Sequence, residues 1–141
     1  MILFMNEDRY EGRQSSRELN QALYSEASNF ISEVSSDLAS MGYSIRIAGS
    51  LAAGKAIYMR GNEWYIKDID FCLTKNGKAL SANEARELRE ASWFRSAVKN
   101  FLRGLGDFYS ENGISNSCNE ADFIWDNSPF VPHVFAIGVN S

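Results

Sequence analysis

At Gly42 the rhythm of apolar residues changes. Before it, Leu19, Leu23, Ala27, Phe30, Ile31, Val34, Leu38 and Met41 recur at spacings of three and four, the period of a helix with one apolar face. After it, Tyr43, Ile45 and Ile47 alternate with Ser44 and Arg46, the period of a half-buried strand. A helix that must cover its stripe, running straight into a strand with one apolar side, restricts the chain to helices packed on a sheet. The spacing predicts a helix from about Arg17 to Met41, opened by the capping-box pair Ser15 and Glu18 and ended by Gly42. A strand from Tyr43 to Ala48 follows.

Farther along, Leu51 to Met59 reads as a short helix broken by Gly61-Asn62, and Trp64 to Thr74 as a second strand ending in the turn Lys75-Asn76-Gly77-Lys78. A second capping box, Ser81 with Glu84, opens a helix to about Leu105, with Gly104 and Gly106 marking its exit. Ser110 to Glu120 is a polar loop, and Ala121 to Trp125 and Val134 to Val139 are two short strands. The expected fold is α+β: a small mixed β-sheet with helices packed on it. At 141 residues and 45% hydrophobic, the chain is expected to form one domain, residues 1–141.

Composition narrows the function. A net charge of −4 disfavours a sequence-independent grip on long nucleic acid, which rests on neutralising many phosphates. No apolar run approaches the roughly 20 residues that span a bilayer, and the start of the chain lacks the basic region of a secretory signal. Cys72 and Cys118 have no CxxC spacing, so neither a disulfide framework nor a zinc site is indicated. A cytoplasmic location, with no membrane partner, is the expectation.

Two short motifs carry chemistry. Gly49-Ser50, at a strand-to-helix turn, lets backbone approach an anion closely and adds a hydroxyl and N–H groups. Alone, such a pair is also an ordinary turn. Seventeen residues separate Ser50 from Asp68, which opens Asp68-Ile69-Asp70-Phe71. Along a strand Asp68 and Asp70 point the same way, Cα atoms roughly 6.5 Å apart, while Ile69, Phe71 and Leu73 point into a core. Two such carboxylates repel unless a cation sits between them or Lys67 and Lys75 offset them in water. Magnesium, which prefers carboxylate and phosphate oxygens, is the cation that fits. A two-ion site needs a third carboxylate; Asp122, between Ala121 and Phe123, is the candidate, ahead of Glu120 and Asp126.

Together these residues resemble the polymerase-beta-like nucleotidyltransferase superfamily: an apolar residue and Gly-Ser, then Asp-apolar-Asp-apolar, then a later acidic residue. The resemblance covers roughly Tyr43 to Trp125 and implies a nucleotidyltransferase-like core. It also implies an enzyme that transfers a nucleoside monophosphate from a nucleoside triphosphate to an acceptor hydroxyl, releasing pyrophosphate. In that role Asp68, Asp70 and Asp122 are catalytic and hold two Mg2+ ions, with Mn2+ as substitute; Gly49 and Ser50 hold phosphates, and Lys55 adds a contact. The sequence leaves the acceptor open among a protein, an RNA end, a small molecule and a second nucleotide, with a protein or RNA acceptor carried as the partner expectation. Two departures stand out. The long spacer implies a loop around Met59 to Tyr65 beside the site, and the nineteen residues after Asp122 leave no room for a helical substrate domain, so a partner chain would complete the pocket.

Other features have blander readings. Arg89, Arg95, Lys99 and Arg103 fall on one arc of the second long helix, and His133 is the lone histidine, in a loop. Tyr58, Trp64 and Tyr65 either stack on a base or pack at the sheet edge. Two rival readings remain. Asp68-Ile69-Asp70 is similar to the opening motif of haloacid-dehalogenase-like phosphatases, but a helix and strand precede it and Cys72 replaces the expected Thr. Alternatively the domain is a catalytically inactive relative that binds nucleotide or protein.

Overall fold

The computed structural model describes residues 7–114, 123–126 and 133–137, with side chains over 17–114. Helix α1 (Glu7–Ser40) is followed by β1 (Tyr43–Ala48), the single turn α2 (Gly49–Ala52), and a hairpin of β2 (Ile57–Arg60) and β3 (Glu63–Ile66). Then come β4 (Ile69–Lys75), β5 (Lys78–Ala79), α3 (Ala82–Glu90), α4 (Ser92–Glu111), β6 (Phe123–Asp126) and β7 (His133–Ile137). The architecture is α+β, as expected. Among the described residues the sheet is antiparallel rather than mixed: in the order β1-β4-β7-β6, with β5 beside β4, every pairing of these strands is antiparallel. The connection from β1 to β4 is taken up by α2 and the β2–β3 hairpin rather than by a crossover helix, and β4 returns beside β1 in the opposite direction.

The core forms where α1 and α4 cross the sheet. Leu23, Ala27, Phe30, Val34 and Leu38 make the buried stripe of α1. Phe30 meets Phe71 of β4 at 5.1 Å and Phe101 of α4 at 5.0 Å between ring centroids. Ile69, Phe71 and Leu73 are fully buried, as the alternation required. Such aromatic contacts each add about 0.5–1.5 kcal/mol beyond area burial.

Several boundaries differ from the expectation. Helix α1 begins at Glu7, ten residues before Arg17, so Ser15 lies inside it rather than capping it. Residues 7–16 contain helix formers and no proline, and nothing stops the helix from running through a cap signature. The Ser81–Glu84 capping box is present, with Glu84 N–H donating to Ser81 Oγ at 3.1 Å and Ser81 N–H to Glu84 Oε1 at 2.8 Å. The helix it opens stops at Glu90, and extended Ala91 (ψ 125°) redirects the chain into α4. This separates Arg89 from Arg95, Lys99 and Arg103, so the basic arc is divided between two helices.

Gly104 and Gly106 do not end α4. Helical glycine costs about 1 kcal/mol, which burial of Leu102, Leu105, Phe108 and Tyr109 around them outweighs. The helix instead reaches Glu111, taking in Ser110 and Glu111 from the expected loop, and closes as a Schellman motif: Gly113 at φ +67° and Ile114 N–H donating to the Tyr109 carbonyl at 2.8 Å. His133 is the first residue of β7, in register with Leu73, rather than a loop residue.

The spacer is the largest departure. Leu51 to Met59 is not a helix: α2 stops at Ala52, and Ile57–Arg60 pairs with Glu63–Ile66 across Gly61-Asn62 as a separate two-stranded sheet. The second strand is accordingly two strands, divided at Lys67 and Asp68. The hairpin is pinned from within. Buried Asn20 of α1 donates from Nδ2 to the Ile57 carbonyl at 2.9 Å and accepts from Ile57 N–H at 2.8 Å, while Trp64 bridges to Ile114.

Candidate functional site

The antiparallel register places the end of β1 beside the start of β4, with Ala48 opposite Asp70. Gly49 therefore turns directly against the Asp70 side chain. Its φ of +62° is a left-handed conformation that favours glycine. A Cβ added there would also stand 3.1 Å from Asp70 Cγ and collide with Oδ2. The close approach that Gly49 permits is thus made by a carboxylate of the same chain. Gly49 is exposed and Ser50 and Asp70 are half-buried, so the corner opens to solvent.

Asp68 is exposed and lies just ahead of β4, outside the ladder. Burial pushes the Asp70 carboxyl above the ordinary carboxylate range, and the Asp68 charge pushes it further. The acid pair therefore couples electrostatically, as two carboxylates two residues apart should. A raised Asp70 is what a cation or a proton would relieve.

The remaining candidates are distributed as follows. Lys55 is exposed and lies past α2 rather than within a helix, its N–H donating to the Ser50 carbonyl at 2.8 Å. Since α2 has four residues, it carries little macrodipole, and the corner offers an anion local N–H groups and a hydroxyl. Asp122 lies outside the described residues. The next residue, Phe123, pairs with Ile137, which pairs with Ile69, so β6 enters the sheet at the level of the acid pair and two strands away. Among the described residues no group of three His, Cys, Asp or Glu forms a cation site. No described helix is long and apolar enough to cross a membrane.

Two functional features escaped the sequence reading. Asn20 occupies a stripe position three before Leu23, where a polar residue in an apolar series signals a buried partner. The hairpin was signalled by Ile57 to Arg60 and Glu63 to Ile66 flanking Gly61-Asn62, a two-residue turn type. On its outer face Tyr58 and Tyr65, directly paired, stack at 6.1 Å, and Arg60 and Lys67 lie over the Tyr65 and Tyr58 rings at 5.6 and 5.8 Å. Compared with family models, curated proteins and solved structures, the chain matches none.

Proposed function

We propose that the corner formed by Gly49, Ser50, Asp68 and Asp70 is the centre of a metal-dependent nucleotidyltransferase. It would move a nucleoside monophosphate from a nucleoside triphosphate to an acceptor hydroxyl, with pyrophosphate leaving. One observation carries the reading: the Asp70 side chain is seated on Gly49, which joins the acid pair to the Gly-Ser turn although seventeen residues separate Ser50 from Asp68.

The donor set fits magnesium. Asp68 and Asp70 are hard oxygen donors whose mutual repulsion a divalent ion would relieve. Bound there, magnesium would supply charge to the phosphate oxygens on both sides of the bond being exchanged. Asp122 completes the carboxylate set in this reading and takes the proton of the acceptor hydroxyl. Ser50 Oγ and the N–H groups after Gly49 hold the terminal phosphates, and Lys55, tied back to Ser50 through its own N–H, approaches them from the exposed side. The half-burial of Asp70 keeps part of this corner from bulk water, which strengthens each charge interaction there.

The test is incubation of the full chain with each of the four α-labelled triphosphates, magnesium and cell extract, followed by identification of what becomes labelled. The expected result is magnesium-dependent pyrophosphate release with label on an acceptor, absent from Asp70→Asn. Nucleotide binding without release would favour the inactive binding module instead.

A further inference from the structure

The hairpin that interrupts the spacer leaves from the Gly-Ser turn and returns into the acid pair, Lys67 preceding Asp68 and its N–H donating to the Ala56 carbonyl at 2.9 Å. Both ends of the hairpin are therefore joined to the corner by short stretches of chain. On its inner face Ile57 and Ile66 are committed to the core, at 1% and 0% exposure, while Met59 toward the tip is exposed. On the outer face Tyr58 and Tyr65 are half-buried, and Arg60 and Lys67 are exposed.

Charge is concentrated there against the trend of the molecule. Residues 55–67 contain Lys55, Arg60 and Lys67 against Glu63 alone, in a chain of net charge −4. Glu63 is engaged by the Tyr65 hydroxyl, which donates to Oε2 at 3.0 Å. Both cations are steadied over tyrosine rings, which lowers the entropy lost when they meet an anion. Two cations flanking a pair of half-buried rings match a ligand that alternates negative charge with flat π surfaces.

We infer that this face binds a single-stranded nucleic acid, its phosphates against Arg60 and Lys67 and its bases against Tyr58 and Tyr65, and so presents a strand end as the acceptor. The inference rests on the proposed transferase reading for the acceptor role but not for the binding. An acidic protein segment would satisfy the cations and leave the rings unused. The site is local, which agrees with a chain of net charge −4.

Fluorescence anisotropy of the full chain with labelled 12-nucleotide single-stranded RNA, single-stranded DNA and a duplex, without nucleotide or magnesium, tests the binding alone. Single strands are expected to bind more tightly than duplex, RNA against DNA showing which sugar is preferred. Arg60→Gln with Lys67→Gln should weaken binding at least tenfold and flatten its salt dependence; Tyr58→Leu with Tyr65→Leu should weaken it about 5- to 100-fold. The charge pair is exposed, so those variants are expected to fold even if the tyrosine pair proves structural. Equal affinity for duplex, unchanged binding in the Arg60/Lys67 variant, or displacement by polyglutamate as effective as by RNA would overturn the inference. Single-strand binding without nucleotide transfer would overturn only the transferase reading.

Discussion

Asp70 Cγ stands 3.1 Å from where a side chain on Gly49 would begin. The two positions are coupled through space, since Ala48, not Gly49, is the register partner of Asp70.

That contact predicts a measurable coupling. Gly49→Ala forces a Cβ into the left-handed region, costing about 1–2 kcal/mol, and also displaces the Asp70 carboxylate. Asp70→Ala removes the obstacle, so the double variant should be less destabilised than the two single losses summed, by about 1 kcal/mol. Chemical denaturation of the four proteins measures it. Strict additivity would mean that the two residues do not touch in solution.

Asn20 satisfies both the N–H and the carbonyl of Ile57. Asn20→Leu keeps the γ-branched shape and removes both hydrogen bonds to buried backbone groups, which should cost about 2–4 kcal/mol. Because those groups fasten the hairpin to α1, limited proteolysis should cut near Gly61-Asn62 sooner than in wild type. A variant as stable and as resistant as wild type would count against the docking.

Local chemistry was readable where one residue type decides it. The apolar period located α1 and β1, the capping box located the start of α3, and Gly42 located the end of α1. What escaped was decided at longer range. The break at Ala91 involves no proline or glycine, so nothing in the local sequence announces it. Gly104 and Gly106 look like stops because propensity is local, whereas the burial that carries α4 past them comes from other elements. The acid pair was legible as a motif, but its meeting with Gly49 depends on the β1–β4 register. The hairpin is announced locally, by an alternation flanking the two-residue turn Gly61-Asn62, but the good helix formers after Ser50 carry the opposite signal.

Glu84 joins two devices, the Ser81 capping box and an ion pair in which Lys75 Nζ lies 2.8 Å from Oε2. The Lys75 ammonium and the Ser81 contacts hold its carboxyl down at about 2. Its contribution is therefore complete above the unfolded value near 4.5 and is lost as pH falls toward 2. Because the pair is partly exposed, Glu84→Gln should cost no more than about 1 kcal/mol at pH 7, and Ser81→Ala about 1 kcal/mol through the lost cap. Thermal melts from pH 7 to pH 3 should show the Glu84→Gln deficit shrinking as acid is added. A deficit that stays constant would show that the ion pair contributes nothing.

For Asp70 the pH dependence has the opposite sign. Burial first, and then the Asp68 charge, raise its carboxyl above the ordinary range, so the folded chain holds that proton more tightly than the unfolded chain does. Ionisation then opposes folding, an effect absent below the unfolded pKa of about 4 and growing as pH rises through the folded value. Asp70→Asn removes the charge while keeping the shape. At pH 7 it should melt at or above the wild-type temperature, with the gap closing as pH falls toward 4. Under the transferase reading the same variant loses about 100-fold or more of its activity, since even partners behind a metal ligand are worth 10- to 100-fold. Added magnesium should raise the wild-type melting temperature and leave the variant unchanged. An Asp70→Asn protein less stable than wild type at pH 7 would mean that the carboxylate serves the fold, and would remove the reason for placing a cation beside it.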